Sequence, residues 1–214
     1  MASNAFRAFQ YNLVDVERLI ESHGVLSGTG QGRRGLGHIT RSGVVMLCAA
    51  WELYLEQVLL EGLRFGMAAA TGPDQVPKPV QKELSNFVKN HKHELKPIQL
   101  AGDGWRGVLE DRVTNLADGL NTPKAGPVNR LFEMGIGIKQ ISSCWSIGAD
   151  SVDDFVTGRG DIAHRGRHSD YVQIGALGTH KQNIVSAAID TDNCVAEFVR
   201  DNYPVGRKPW NAAG

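Results

Sequence analysis

Apolar residues recur at helical spacing along most of the chain, and the phase of each stripe predicts a succession of amphipathic α-helices. Phe6, Phe9, Leu13, Val16 and Ile20 mark the first, with Asp15, Glu17 and Arg18 on its wet face. The strongest stripe runs from about Arg41 to Phe65 through Val44, Leu47, Cys48, Trp51, Leu55, Val58 and Leu59, which predicts a central core helix. Val80, Leu84, Phe87 and Val88 predict a third helix closed by Pro97, and Trp105, Leu109, Val113, Leu116 and Leu120 a fourth. A fifth is expected to open at Thr122 and Pro123, the threonine capping free N–H groups and the proline filling the first turn, and to stop near Gly135. The sixth starts at Ser151, with Asp154 in a capping-box position, and frays near Gly166. The last spans about Lys181 to Arg200, and only Tyr171 to Ala176 hints at a strand. The pattern predicts an all-α helical bundle with additional helices. Residues 1–203 form one domain with a glycine-rich loop at 24–37, and 204–214 form a flexible tail.

Composition narrows this little. A chain of 214 residues with 42% hydrophobic content suits one soluble globular domain. Lys+Arg and Asp+Glu are both 23, so a polyanion would have to be held by a local patch rather than by a global field. Cys48, Cys144 and Cys194 are far apart and form no C-x-x-C spacing, which speaks against a disulfide framework and a zinc site and for a reducing cytoplasm. The start, MASNAFRAFQ, does not read as a signal peptide, and the apolar run from Val44 stops at Glu52, short of the ~20 residues of a membrane span. His91 and His93 stand about 200° apart on a helix and so read as surface residues rather than metal ligands. The glycine-rich loop lacks a G-x-x-x-x-G-K-[ST] pattern, although its Arg33 and Arg34 can touch a polyanion.

One stretch does not fit a simple core. From Ser151 to His168, Val152, Phe155, Val156, Ile162 and Ala163 share a helix face, and Arg159 lies near the middle of it. His164, about 140° round and ~7.5 Å further along, projects from the flank of the same stripe. Asp161 points the opposite way, while Gly158 and Gly160 keep the surface beside the arginine low. Helix geometry allows a buried structural arginine, an arginine at a subunit interface, or an anion site with a histidine beside it. Glu52, beside the core stripe, is either a solvated edge or a partner for a buried arginine. Arg165, Arg167 and His168 crowd positive charge behind the motif, which suits an RNA backbone or the negative end of a helix dipole.

Together these residues resemble one family. The stretch from Arg41 to Leu59 with its W-E-x-Y, the block from Thr122 to Gly137, Trp145 and the R-x4-H of Arg159 to His164 are similar to the HEPN superfamily, in particular the RiboL-PSP-HEPN group. The resemblance implies a HEPN-like helical bundle and a metal-independent, cofactor-free endoribonuclease acting as a homodimer, with two R-x4-H motifs meeting in one cleft. Arg159 would then stabilise charge on the scissile phosphate and His164 would move protons, with Arg165, Arg167 and His168 on the RNA and Glu52 and Asp161 in support. A cytoplasmic toxin or phage-defence effector held by an antitoxin or other regulatory protein fits this reading; a non-catalytic HEPN dimerisation or nucleic-acid-binding module is the alternative. The family often carries a polar residue after the motif arginine, where this chain has Gly160.

Overall fold

The structure is a computed structural model that describes residues 1–28 and 35–214. Seven α-helices occur among the described residues, and no strand: α1 Asn4–Ser27, α2 Gly37–Ala69, α3 Lys78–Lys89, α4 Gly104–Ala117, α5 Ala125–Gly135, α6 Ala149–Arg165 and α7 Ile174–Asn202. The all-α bundle expected from periodicity is therefore present.

Helix α2 is the axis of the bundle because its stripe is apolar almost all round. Leu47, Cys48, Trp51, Leu55, Val58, Leu59 and Leu63 are completely buried, against α1 on one side and α7 on the other. Where α7 crosses, α2 has glycine. A Cβ on Gly43 would stand 2.5 Å from the Leu177 side chain, and one on Gly66 2.5 Å from the Tyr203 ring, so the two helices approach as closely as they do only without side chains there. Polar tips of the large aromatics are satisfied inside: Trp51 Nε1 donates to Pro123 O at 3.2 Å, Tyr54 Oη to Ala188 O at 2.8 Å, and Trp145 Nε1 to Thr191 Oγ1 at 2.9 Å. Buried polar groups with partners avoid a desolvation cost of about 1–3 kcal/mol each. Helix α2 is long and apolar enough to cross a membrane, but 56% of its most apolar window is buried by the other helices, as befits a core helix.

Several local expectations are corrected. Helix α1 continues through Gly24 to Ser27, and α2 already begins at Gly37, so the loop expected at 24–37 is shorter; Arg33 and Arg34 lie outside the described residues. Thr122 does not cap α5. That N-terminus is capped from outside the segment, by Asp153 Oδ1 accepting from Ala125 N at 2.7 Å. Ser151 does not open α6 either; the helix starts at Ala149 after Gly148, and Ser151 Oγ donates back to Ile147 O at 2.8 Å. Tyr171 to Ala176 is not a strand, since α7 starts at Ile174.

The tail expected to be flexible is docked. Trp210 is buried and its Nε1 donates to Asp192 O at 3.1 Å, while Asn193 and Ala213 exchange two hydrogen bonds. Cys144 and Cys194, read from sequence as unpaired, form a disulfide that ties the short turn Ile141–Cys144 to α7. Fifty residues separate the two cysteines, so spacing alone could not reveal the pair. Cys48 stays free and buried.

Candidate active site

Helix α6 packs through Val152, Phe155, Val156 and Ile162, all buried, and crosses α2 and α7. Arg159 lies on that face and is half-buried. Ala163, expected in the stripe, is exposed, because the helix is leaving the bundle by its last turn. Gly166, at φ 53°, terminates the helix, its N–H returning to Ile162 O. His164 and Arg165 thus stand exposed in the final turn, where cations suit the helix dipole, and Arg167 and His168 follow in the exposed turn Gly166–His168. Asp161 is exposed on the other side of α6, so its side chain and that of Arg159 are not brought together.

Fold places Glu52 at Arg159. Burial pushes the Glu52 carboxyl above the usual range, and the positive charge of Arg159 offsets part of that rise. The two are electrostatic neighbours without a direct ion pair, and Glu52 Oε2 is buried with no hydrogen-bond partner among the described residues. The same guanidinium also acts on Cys48, whose thiol burial holds at about 11, too high for a nucleophile at neutral pH. An arginine left without a carboxylate partner and a carboxylate oxygen left without a donor are costly in a half-buried place.

The surface over Arg159 is open. A Cβ on Gly158 or on Gly160 would meet nothing within 4 Å. Gly160→Asn therefore has room, and since glycine inside a helix costs ~0.5–1 kcal/mol, the variant is expected to melt no lower than the native chain. A clear fall in Tm would show that the space is occupied.

One residue of the cluster was not legible from sequence. Glu56 follows Glu52 by one helical turn, and burial, the Glu52 charge and Asp118 at the end of α4 together raise its carboxyl to about 7. Its folded state holds the proton more tightly than the unfolded chain, whose carboxyl titrates near 4.5. The stability linked to that proton is complete below the unfolded value and is lost as pH rises through about 7. Glu56→Gln is accordingly expected to raise Tm relative to the native chain at pH 8 and to leave it nearly unchanged at pH 4. Equal shifts at both pH values would contradict this.

Beside the cluster, α2 presents an apolar face to solvent. Val45, Met46 and Leu53 are exposed and, with Ala49, fall within an arc of about 100° that Glu52 borders. His180 of α7 lies against Phe155 at 5.2 Å, and burial lowers its pKa. Among the described residues no group of three or more His, Cys, Asp or Glu side chains is placed to hold a metal ion, and His91 and His93 are both exposed.

The arrangement is that of an all-α domain presenting one arginine, one histidine and a half-buried glutamate beside an uncovered apolar face. The family model of RiboL-PSP-HEPN matches residues 11–196, and the chain belongs to that family. Comparison with curated proteins and with solved structures gives no match.

Proposed function

We propose that the protein is a metal-independent endoribonuclease that works as a homodimer, its two α6 helices meeting so that both Arg159–His164 pairs face one RNA strand. The observation that carries this reading is the half-buried Arg159, unpaired, between two open glycine positions and next to the apolar α2 face. A self-complementary apolar patch is what a two-fold contact needs.

The chemistry follows from the groups. One His164 takes the proton of a ribose 2′-OH, and the 2′ oxygen attacks phosphorus as the bond to the 5′ oxygen breaks. The second His164 gives a proton to that leaving oxygen. Both Arg159 guanidinium groups stabilise the charge on the phosphorane oxygens, leaving a 2′,3′-cyclic phosphate and a 5′-hydroxyl. Glu52 acts by holding Arg159 at the cleft, and Arg165, Arg167 and His168 steady the phosphates. A toxin or phage-defence role, with an antitoxin or other regulatory protein as partner, is consistent with such an activity; the Cys144–Cys194 disulfide removes the ground on which the cysteine spacing pointed to a reducing cytoplasm.

Gly160 favours a second reading, a HEPN module that dimerises or binds nucleic acid without cutting, because the polar side chain often found after the motif arginine is missing. Labelled RNA incubated with the purified protein in EDTA separates the two. Cleavage to 2′,3′-cyclic phosphate ends supports the nuclease, and salt-dependent binding with intact RNA supports the module.

A further inference from the structure

Several arginines elsewhere on the molecule are tied down: Arg64 to Glu110, Arg112 to Glu83, Arg106 to Asp103 and Arg200 to Asp201. At the C-terminal end of α6, Arg165 and Arg167 form no ion pair among the described residues, and neither does Arg41 at the start of α2. The segment that follows Arg167 passes close to Arg41. Beyond His168 it turns back over the beginning of α2, and Leu177 seats itself on Gly43. On the way it lays Tyr171 across Gly37: a Cβ on that glycine would stand 3.3 Å from the Tyr171 ring edge and 3.0 Å from Arg41 Nη1. The tyrosine ring edge and the guanidinium thus border the same bare backbone, and Tyr171 remains 61% exposed. An aromatic ring held along one edge at a glycine, with a guanidinium beside that glycine and most of the ring surface uncovered, is a surface on which a flat π system can stack.

Its position relates it to the cleft. Arg159 sits at the level of Cys48 and Glu52, whereas Tyr171 sits at Gly37 and Arg41. Eleven residues of α2 from Gly37 to Cys48 rise ~16 Å. Stacked nucleotides rise ~3.4 Å each, so this is a span of roughly five of them.

We propose that Tyr171 and Arg41 form a base-stacking platform for an unpaired nucleobase about five nucleotides from the scissile phosphate, with Arg165 and Arg167 on the intervening backbone. The proposal rests on the RNA reading of the Arg159 site. A base inside a duplex cannot offer its face to the ring, so the platform selects single-stranded RNA.

The test is binding of a fluorescein-labelled 2′-O-methyl decaribonucleotide of mixed sequence to the full chain in EDTA, followed by anisotropy. The probe has no free 2′-OH and cannot be cut. Tyr171→Ala is expected to weaken binding about tenfold, and Tyr171→Phe to remain within about twofold of the native chain. The corresponding duplex should bind both the alanine variant and the native chain equally. Alanine and native chains that bind the single strand alike overturn the platform, as does a native chain that fails to bind it. The nuclease reading stands apart from this result: tyrosine-dependent binding with no cleavage of ordinary RNA keeps the platform and removes the nuclease, whereas cleavage in EDTA that Tyr171→Ala leaves intact does the reverse.

Discussion

RNA that the native chain cuts in EDTA is expected to stay intact when Arg159→Ala and His164→Ala are combined. Proton transfer by a positioned side chain contributes typically ~10²–10⁴ in rate, and loss of one charge-stabilising donor costs about 10²–10³. The double variant is therefore expected to lose at least a thousandfold, short of the product of the two because the groups act on one transition state. Folding should survive. His164 is exposed, and removing the half-buried Arg159 leaves Glu52 without the positive charge that offsets its burial but removes no core side chain. Thermal melting of the double variant should stay cooperative and within a few degrees of the native chain. Residual cleavage above a few per cent in the folded variant would remove both residues from the chemistry.

The second large effect is expected at the apolar face of α2. Val45→Glu combined with Leu53→Glu puts two charges where a two-fold contact would desolvate them, and a buried unpaired charge costs several kcal/mol per site. Both side chains are exposed in the single chain, so the variant should fold normally and sediment as a monomer. Cleavage should fall with the dimer by a factor comparable to that of the double active-site variant, because one chain offers one His164 and the proposed reaction uses two, one as base and one as acid. A dimeric, active Val45→Glu, Leu53→Glu protein would place the interface elsewhere.

The helical frame could be read from the sequence because the information is local. Trp51, Leu55 and Leu59 repeat at a helix period, and burial follows from that period alone. The anomaly of Arg159 was legible for the same reason: a charge at the centre of an apolar stripe stands out without any knowledge of the fold. Features made by remote residues were not. The cap on α5 comes from Asp153, and at the start of α1, beyond the local Ser3 cap on Phe6 N, Glu61 accepts from Asn4 N and Ala5 N at 3.0 and 2.9 Å; no window of local sequence contains Asp153 with Ala125 or Glu61 with Asn4. The docking of Trp210 depends on α7 presenting Asp192 to it, so a polar, proline-containing tail read as loose. The hint of a strand at Tyr171 had no second strand to pair with.

The candidate site divides in the same way. Arg159 and His164 lie five residues apart on one helix, and the family resemblance assigned them roles directly. Their surroundings needed the fold. Nothing in the sequence states that Arg159 stands by Cys48 and Glu52 more than a hundred residues earlier, or that Asp118 joins Glu52 in raising Glu56 to about 7. Arg41 and Tyr171 likewise both crowd the Gly37 position, which has room for them only because it lacks a side chain. Charge totals had pointed away from polyanions, since 23 positive and 23 negative side chains cancel. Arg64, Arg112 and Arg200 are paired elsewhere, whereas Arg165 and Arg167 form no ion pair among the described residues, which a count cannot reveal.

The central claim is that cleavage belongs to a cleft shared by two chains around Arg159. The most direct measurement follows the specific activity of the native protein on labelled RNA in EDTA while its concentration is varied across dimerisation, with the dimer fraction determined by sedimentation in the same buffer. The account predicts that activity per chain rises in proportion to the dimer fraction and reaches a plateau with it. Activity per chain that stays constant down to the monomer, or a fully dimeric protein that leaves the RNA intact, would contradict it.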